Sequence, residues 1–194
     1  MAYGLEWPAL AHKDEKMKQE NYCAFLRGVN VNGRTMKMVD VCDAFRKAGM
    51  SEVASILASG NIAFSSDYPR AKLRSLLEST LTTRYGAPVY LFVKTADEVC
   101  GILAGSPFAE NAKLHIYAFI CEPMLETVLF DEFSKIVPAA DEKACIQNGY
   151  FYWQCAKGAT LTSGFSKILG RKTLREHFTS RNMGTIAKVQ AKMT

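Results

Sequence analysis

The chain has 194 residues, 48% hydrophobic and 22% charged, with a net charge of +5. These proportions suit a globular protein with one good core, or two small subdomains sharing an interface. No apolar run approaches the roughly 18–20 residues that span a bilayer, and no basic segment followed by an apolar run marks a secretory signal.

The six cysteines, Cys23, Cys42, Cys100, Cys121, Cys145 and Cys155, include no Cys-x-x-Cys pair. Buried reduced thiols are therefore expected rather than a zinc site or a disulfide framework, which implies a cytoplasmic protein. The positive charge is concentrated late in the chain. From Phe165 onward, seven Lys and Arg stand against the single acid Glu176, so this segment carries +6 and everything before it sums to −1. Such a segment suits an anionic partner, and equally a solvated helix face.

Residues 1–20 are polar and lack periodicity, and are expected to form a disordered extension, with Met17 as an alternative start. The strand Tyr22–Leu26 follows and breaks at Arg27-Gly28 into a loop rich in Asn and Gly. A helix is predicted from near Thr35, with Met38, Val41, Cys42 and Phe45 on one stripe and Gly49 closing it. Two short strands, about Val53–Ala58 and Asn61–Ser65, meet at a Ser59-Gly60 turn. Asp67-Tyr68-Pro69 opens a second helix, with Leu73, Leu76, Leu77 and Leu81 on one face and Gly86 ending it. Val89–Val93 reads as a buried strand, and Thr95-Ala96-Asp97-Glu98 as a capping box opening a short helix to about Leu103.

The second half begins with the strand Leu114–Ile120 and a helix from Pro123 to about Phe130. The strands Lys143–Gln147 and Tyr150–Cys155 flank Asn148-Gly149, a strong hairpin signal. Thr162 or Ser163 caps a helix through Leu169, and a last helix is predicted from about Asn182 to Lys192. The first half, residues 21–105, reads β-α-β-β-α-β, the ferredoxin-like pattern. The second, residues 106–194, reads β-α-β-β-α-α, an incomplete copy. The expected fold is α+β, two ferredoxin-like subdomains in one compact unit.

In that topology the first and third strands are adjacent and antiparallel. The exit of the first strand, Arg27–Gly33, should then share a sheet edge with the Ser59-Gly60-Asn61 turn. Arg27, Gly28, Asn30, Asn32, Lys37, Ser59, Gly60 and Asn61 become candidate ligand-binding residues, an anion cradle made of amides, a helix start and a guanidinium. The competing reading is that Asn and Gly populate the loop for its conformation, with Arg27 paired to an internal carboxylate. Arg181 and Asn182, in Thr179-Ser180-Arg181-Asn182 before the last helix, are further candidates, although Thr or Ser there also serves as an N-cap.

Leu-Arg-Gly-Val-Asn-Val-Asn-Gly, then Met-Lys-Met, then Ala-Ser-Gly-Asn-Ile-Ala-Phe, with Thr-Ser-Arg-Asn-x-x-Thr-x-x-Lys near the end, carry a resemblance. The chain resembles the uncharacterised bacterial family known as domain of unknown function 1697, over about Tyr22 to Val189. The resemblance implies a duplicated ferredoxin-like α+β fold and no established activity. Arg27, Gly28, Asn30, Gly33, Ser59, Gly60, Asn61, Thr179, Arg181, Asn182, Thr185 and Lys188 fall on family positions. Asn32 replaces a usual glycine, and Met183-Gly184 replaces a tryptophan followed by a polar residue.

No catalytic residue, metal site or cofactor is assigned. The three histidines are scattered, and no His-x-x-x-His, Gly-x-Ser-x-Gly, Walker loop or Gly-x-Gly-x-x-Gly occurs. Three functions remain open: a binder of a small phosphorylated or nucleotide-like anion, a nucleic-acid-binding module, and a structural or homodimeric protein built on the aromatic run Tyr150-Phe151-Tyr152-Trp153. The second is disfavoured, because the third strand offers only Phe64 for stacking bases.

Overall fold

The structure, a computed structural model, describes residues 19–193 apart from Asn32, with Val31 and Arg34 described through their backbone alone. The expected disorder of residues 1–20 falls mostly outside this range, although Glu20 already belongs to the first strand. Two four-stranded antiparallel sheets and seven helices make up the described fold, together with a two-stranded ribbon.

The first half runs β1 (Glu20–Leu26), β2 (Asn30–Val31), β3 (Arg34–Thr35), α1 (Met38–Lys47), β4 (Ser51–Ser55), β5 (Asn61–Ser66), α2 (Arg70–Tyr85), β6 (Leu91–Thr95) and α3 (Ala96–Ala104). Its sheet has the order β4-β5-β1-β6, the arrangement expected for a ferredoxin-like unit. The loop after β1 departs from expectation. Instead of entering a helix at Thr35, residues 30–35 fold into the small β2–β3 ribbon around Gly33, whose φ is +74°. Helix α1 then starts three residues later. The capping box at α3 forms as its spacing requires, with the Glu98 N–H donating to Thr95 Oγ1 at 3.2 Å and the Thr95 N–H to Glu98 Oε2 at 2.9 Å.

The second half runs β7 (Leu114–Cys121), α4 (Leu125–Ser134), β8 (Lys143–Gln147), β9 (Tyr150–Ala156), α5 (Gly164–Leu169), α6 (Lys172–Arg175), β10 (Phe178–Asn182) and α7 (Met183–Met193). Its sheet order, β10-β7-β9-β8, repeats that of the first half strand for strand. The expectation of an incomplete copy is therefore corrected. Thr179-Ser180-Arg181-Asn182 is a strand paired with β7, with Arg181 opposite Ala118, and not an N-cap segment. Four polar residues in a row hide a strand from hydrophobic patterning, because one sheet face here is polar and bonded.

Each half carries one further helix after its fourth strand, α3 and α7, and these two close the molecule. Val99, Ile102, Ile186, Val189 and Met193 pack with Cys23, Phe25 and Phe92 of the first sheet and Ala118, Ile120 and Tyr152 of the second. The outer face of the first sheet buries Tyr22, Ala24 and Leu26 against α1 and α2, and that of the second buries Phe119, Phe151 and Trp153 against α4, α5 and α6. Alternate residues of β1 and β9 thus enter different cores, which explains strands that are apolar on both faces. Phe151, Tyr152 and Trp153 are buried by this internal packing, and Tyr150 is half-buried beside them.

Candidate functional site

The two segments expected to share a rim do so. The Leu26 N–H donates to Gly60 O at 2.8 Å, where β1 ends beside the β4–β5 turn. Gly60 has φ +75°, and a Cβ there would sit 2.9 Å from Leu26 Cβ and 3.0 Å from Val29 Cγ1. Only glycine allows both the left-handed turn and this approach. The Met36 N–H donates to Val29 O at 2.7 Å, so the start of α1 hangs on the same rim.

Beneath the rim lies a residue from the other half of the molecule. Arg181 is 8% exposed, and its guanidinium is held entirely by neutral acceptors. Nε donates to Asn61 Oδ1 at 2.5 Å, Nη2 to Leu26 O at 2.8 Å and to Gly60 O at 3.3 Å. Nη1 donates to Thr179 Oγ1 at 2.6 Å and to Ser180 O at 2.9 Å, and the guanidinium lies 5.7 Å from the centre of the Phe25 ring. Asn61 is itself buried and donates through Nδ2 to Ile56 O at 2.9 Å and to Ser59 Oγ at 3.0 Å. Burial pulls the Arg181 pKa down to about 10, which still leaves it charged at neutral pH. No carboxylate among the described residues forms an ion pair with it.

Asn61 and Arg181, both candidates for ligand contact, bond to one another and to the backbone that shapes the rim. The exposed surface is built by others. Arg27 is half-buried; its Nε donates to Arg175 O, its guanidinium sits 5.9 Å from the Tyr90 ring centre, and no described carboxylate pairs with it. The Arg27 N–H donates to Tyr90 O at 2.9 Å, placing the exposed Tyr90 at the rim. Gly28 has open space around it, Asn30 Oδ1 accepts from Thr35 Oγ1 at 2.7 Å, and Lys37 is exposed just before α1. Asn32 lies outside the described residues.

Tyr90 and Arg175 were missed by sequence reasoning. A signal for Tyr90 exists, because β6 is antiparallel to β1 and the residue before it must lie where β1 exits. Arg175, on the short α6, arrives by tertiary packing, which brings part of the basic late segment to the rim.

Asn182 is separated from this cluster. Strand alternation points it away from Arg181, and its Nδ2 meets His115 Nδ1 at 2.9 Å while Oδ1 accepts from the Gly184 N–H at 2.9 Å. It lines a different cavity of about 530 Å³ with His115 and Lys157. Among the described residues no group of three or more His, Cys, Asp or Glu could hold a metal, and no helix is long and apolar enough to cross a membrane.

The fold is a duplicated ferredoxin-like α+β fold, and in this chain an arginine under the shared sheet edge ties one half to the other. The chain belongs to the family described as "Protein of unknown function (DUF1697)", whose model matches residues 19–152. Among curated proteins, none matches the chain. The fold is shared with a conserved bacterial protein, SP0830, from Streptococcus pneumoniae, at 21% identity and a TM-score of 0.74, covering 91% of this chain and all of that one.

Proposed function

We propose that the rim formed by the Arg27–Gly33 loop and the Ser59–Asn61 turn binds a small phosphorylated or nucleotide-like anion. The observation that carries this reading is the buried guanidinium of Arg181, which bonds to Leu26 O and Gly60 O and has no described counter-ion. A fixed charge under a partly dry surface acts more strongly than the same charge in water. Arg27, anchored through Nε to Arg175 O, and the exposed Lys37 add further positive charge, and the α1 start adds a positive dipole end. Tyr90 supplies an exposed ring on which a nucleobase could stack. Asn61, Ser59 and Arg181 shape the site without touching the ligand.

A nucleic-acid reading through the sheet has less support. Phe64 is 2% exposed and both faces of its sheet are covered, so bases have no sheet surface to stack on. No observation favours a bond-making reaction at the rim.

The test is thermal shift and calorimetry with ATP, AMP and inorganic pyrophosphate. Arg27→Ala is expected to weaken binding at least about tenfold, the scale of one charge-assisted hydrogen bond, at unchanged melting temperature. Unchanged ligand-induced shifts in Arg27→Ala, or none in the wild type, would sink the reading.

A further inference from the structure

Away from the rim, a cavity of about 480 Å³ opens where the segment before β8 meets the segment after β9. Its walls are largely small and apolar, with Val137, Pro138, Ala139, Ala156 and Ala159 among them. Two strongly exposed apolar side chains, Val137 at 97% and Leu161 at 88%, stand on the segments that line it. The ionisable groups in the lining are Asp141, Glu142 and the Cys155 thiol, and no cation is among them.

Glu142 is unusual for a lining carboxylate because it is 5% exposed. Its Oε1 accepts from Trp153 Nε1 at 3.1 Å and its Oε2 from the Ala139 N–H at 3.4 Å, the second of these long. Two carboxylate oxygens offer about four acceptor positions, so about half remain free. Glu142 forms no ion pair with any described cation, whereas Glu78, Glu98, Glu122 and Glu132 do. A buried carboxylate is normally matched by a cation, because neutral donors alone seldom offset its lost hydration. Lys135, Lys143 and Lys157, the lysines nearest to Glu142 in sequence, are not part of the lining.

We propose that this cavity is a binding site for a primary alkylamine, its ammonium on the Glu142 carboxylate and its alkyl chain along Val137, Ala139 and Ala159. An ammonium carries three donors, two of which can meet the roughly two unused acceptor positions of Glu142, with Asp141 adding negative potential nearby. The apolar walls take the chain, and the burial of Glu142 keeps the pair partly out of water. The acidic lining excludes the anions proposed for the rim, so the two sites select opposite charges and stand or fall separately.

The probe is n-butylamine, compared with n-butanol, which has the same chain without the charge. Trp153 reports, because its Nε1–H donates to Glu142. The chain has two tryptophans, so a Trp7→Phe background leaves Trp153 as the single indole N–H resonance. Butylamine is expected to shift that resonance saturably, with a dissociation constant on the order of 1 mM, reasonable for five heavy atoms. Butanol is expected to bind at least about tenfold more weakly, and Glu142→Gln, which keeps an acceptor for Trp153, to weaken butylamine by a similar factor. Equal affinity for amine and alcohol, an unmoved indole resonance, or undiminished butylamine binding by folded Glu142→Gln would overturn the proposal. The amine–alcohol comparison uses no Glu142 variant and decides the question even if Glu142→Gln does not fold.

Discussion

Arg181 Nε lies 2.5 Å from Asn61 Oδ1, and the two residues come from different halves of the duplicated chain, 120 positions apart. This bond sits within a set that also ties Arg181 to Leu26 O and Gly60 O, and Thr179 Oγ1 to Leu26 O at 3.2 Å. The fourth strand of the second half therefore shapes the end of the first strand of the first half.

Removing either partner should leave buried polar groups without bonds. Arg181→Ala is expected to cost about 3–5 kcal/mol, the range for stripping one member from a buried charged network. Asn61→Ala should cost about 1–3 kcal/mol. The double variant should fall short of the sum by about 1 kcal/mol or more, because each single change already breaks the shared bond. Urea unfolding of the four proteins measures this, and strict additivity would contradict the interlock.

Two glycines with nearly the same backbone should respond differently to alanine. Gly28 has φ +76° and nothing within 4 Å of a new Cβ, so Gly28→Ala should cost only about 1–2 kcal/mol of left-handed strain. Gly60→Ala adds a collision with Leu26 and Val29, expected to bring a further 1–3 kcal/mol or so. Equal melting temperatures for the two variants would show that the rim tolerates the extra atom.

Glu98 should make stability depend on acid. Burial raises its pKa, but the Thr95 N–H, Lys94 and Arg70 together more than offset this, and the folded value lies below the ordinary one. A depressed carboxylate contributes fully above its unfolded pKa, about 4.3, and loses that contribution as pH falls through the folded value. Glu98→Gln is expected to lose about 1 kcal/mol at pH 7, the worth of a cap and its partly screened ion pairs. The gap to wild type should shrink steadily below about pH 4 in denaturant titrations. A gap independent of pH would assign the loss to packing.

The thiols should divide by exposure. Cys100 is exposed, whereas Cys23, Cys42 and Cys155 are buried, and burial pushes the Cys121 thiol up to about 12. The native protein should show one fast-reacting thiol with a disulfide reagent at neutral pH, and Cys100→Ser should abolish that phase. A fast phase surviving in Cys100→Ser would mean that the half-buried Cys145, or a buried thiol reached by opening, also reacts.

Tyr152 fastens the second sheet to α3. Its hydroxyl donates to Ile102 O at 2.8 Å, and burial pushes its pKa up to about 12, so the donor is retained at all moderate pH. Tyr152→Phe should cost about 1–2 kcal/mol by leaving that carbonyl unpaired, read as a lower urea midpoint with unchanged slope.

The sequence by itself determined the α+β class, the first β-α-β-β-α-β unit, the hairpin at Asn148-Gly149, the capping box at Thr95, and the meeting of β1's exit with the turn at Gly60. These rest on local periodicity, turn residues and the handful of topologies that antiparallel sheets allow. Tertiary structure decided the rest. Whether Thr179–Asn182 was cap or strand depended on a partner 60 residues away in β7, and no local pattern encodes such pairing. Arg181 and Asn61 read as ligand-binding candidates in sequence because both are polar and loop-adjacent; their bonds to one another follow from burial, since a buried guanidinium must satisfy its donors from whatever backbone the fold brings within reach. In this chain that backbone was the rim itself, which only the packing of one half against the other could supply.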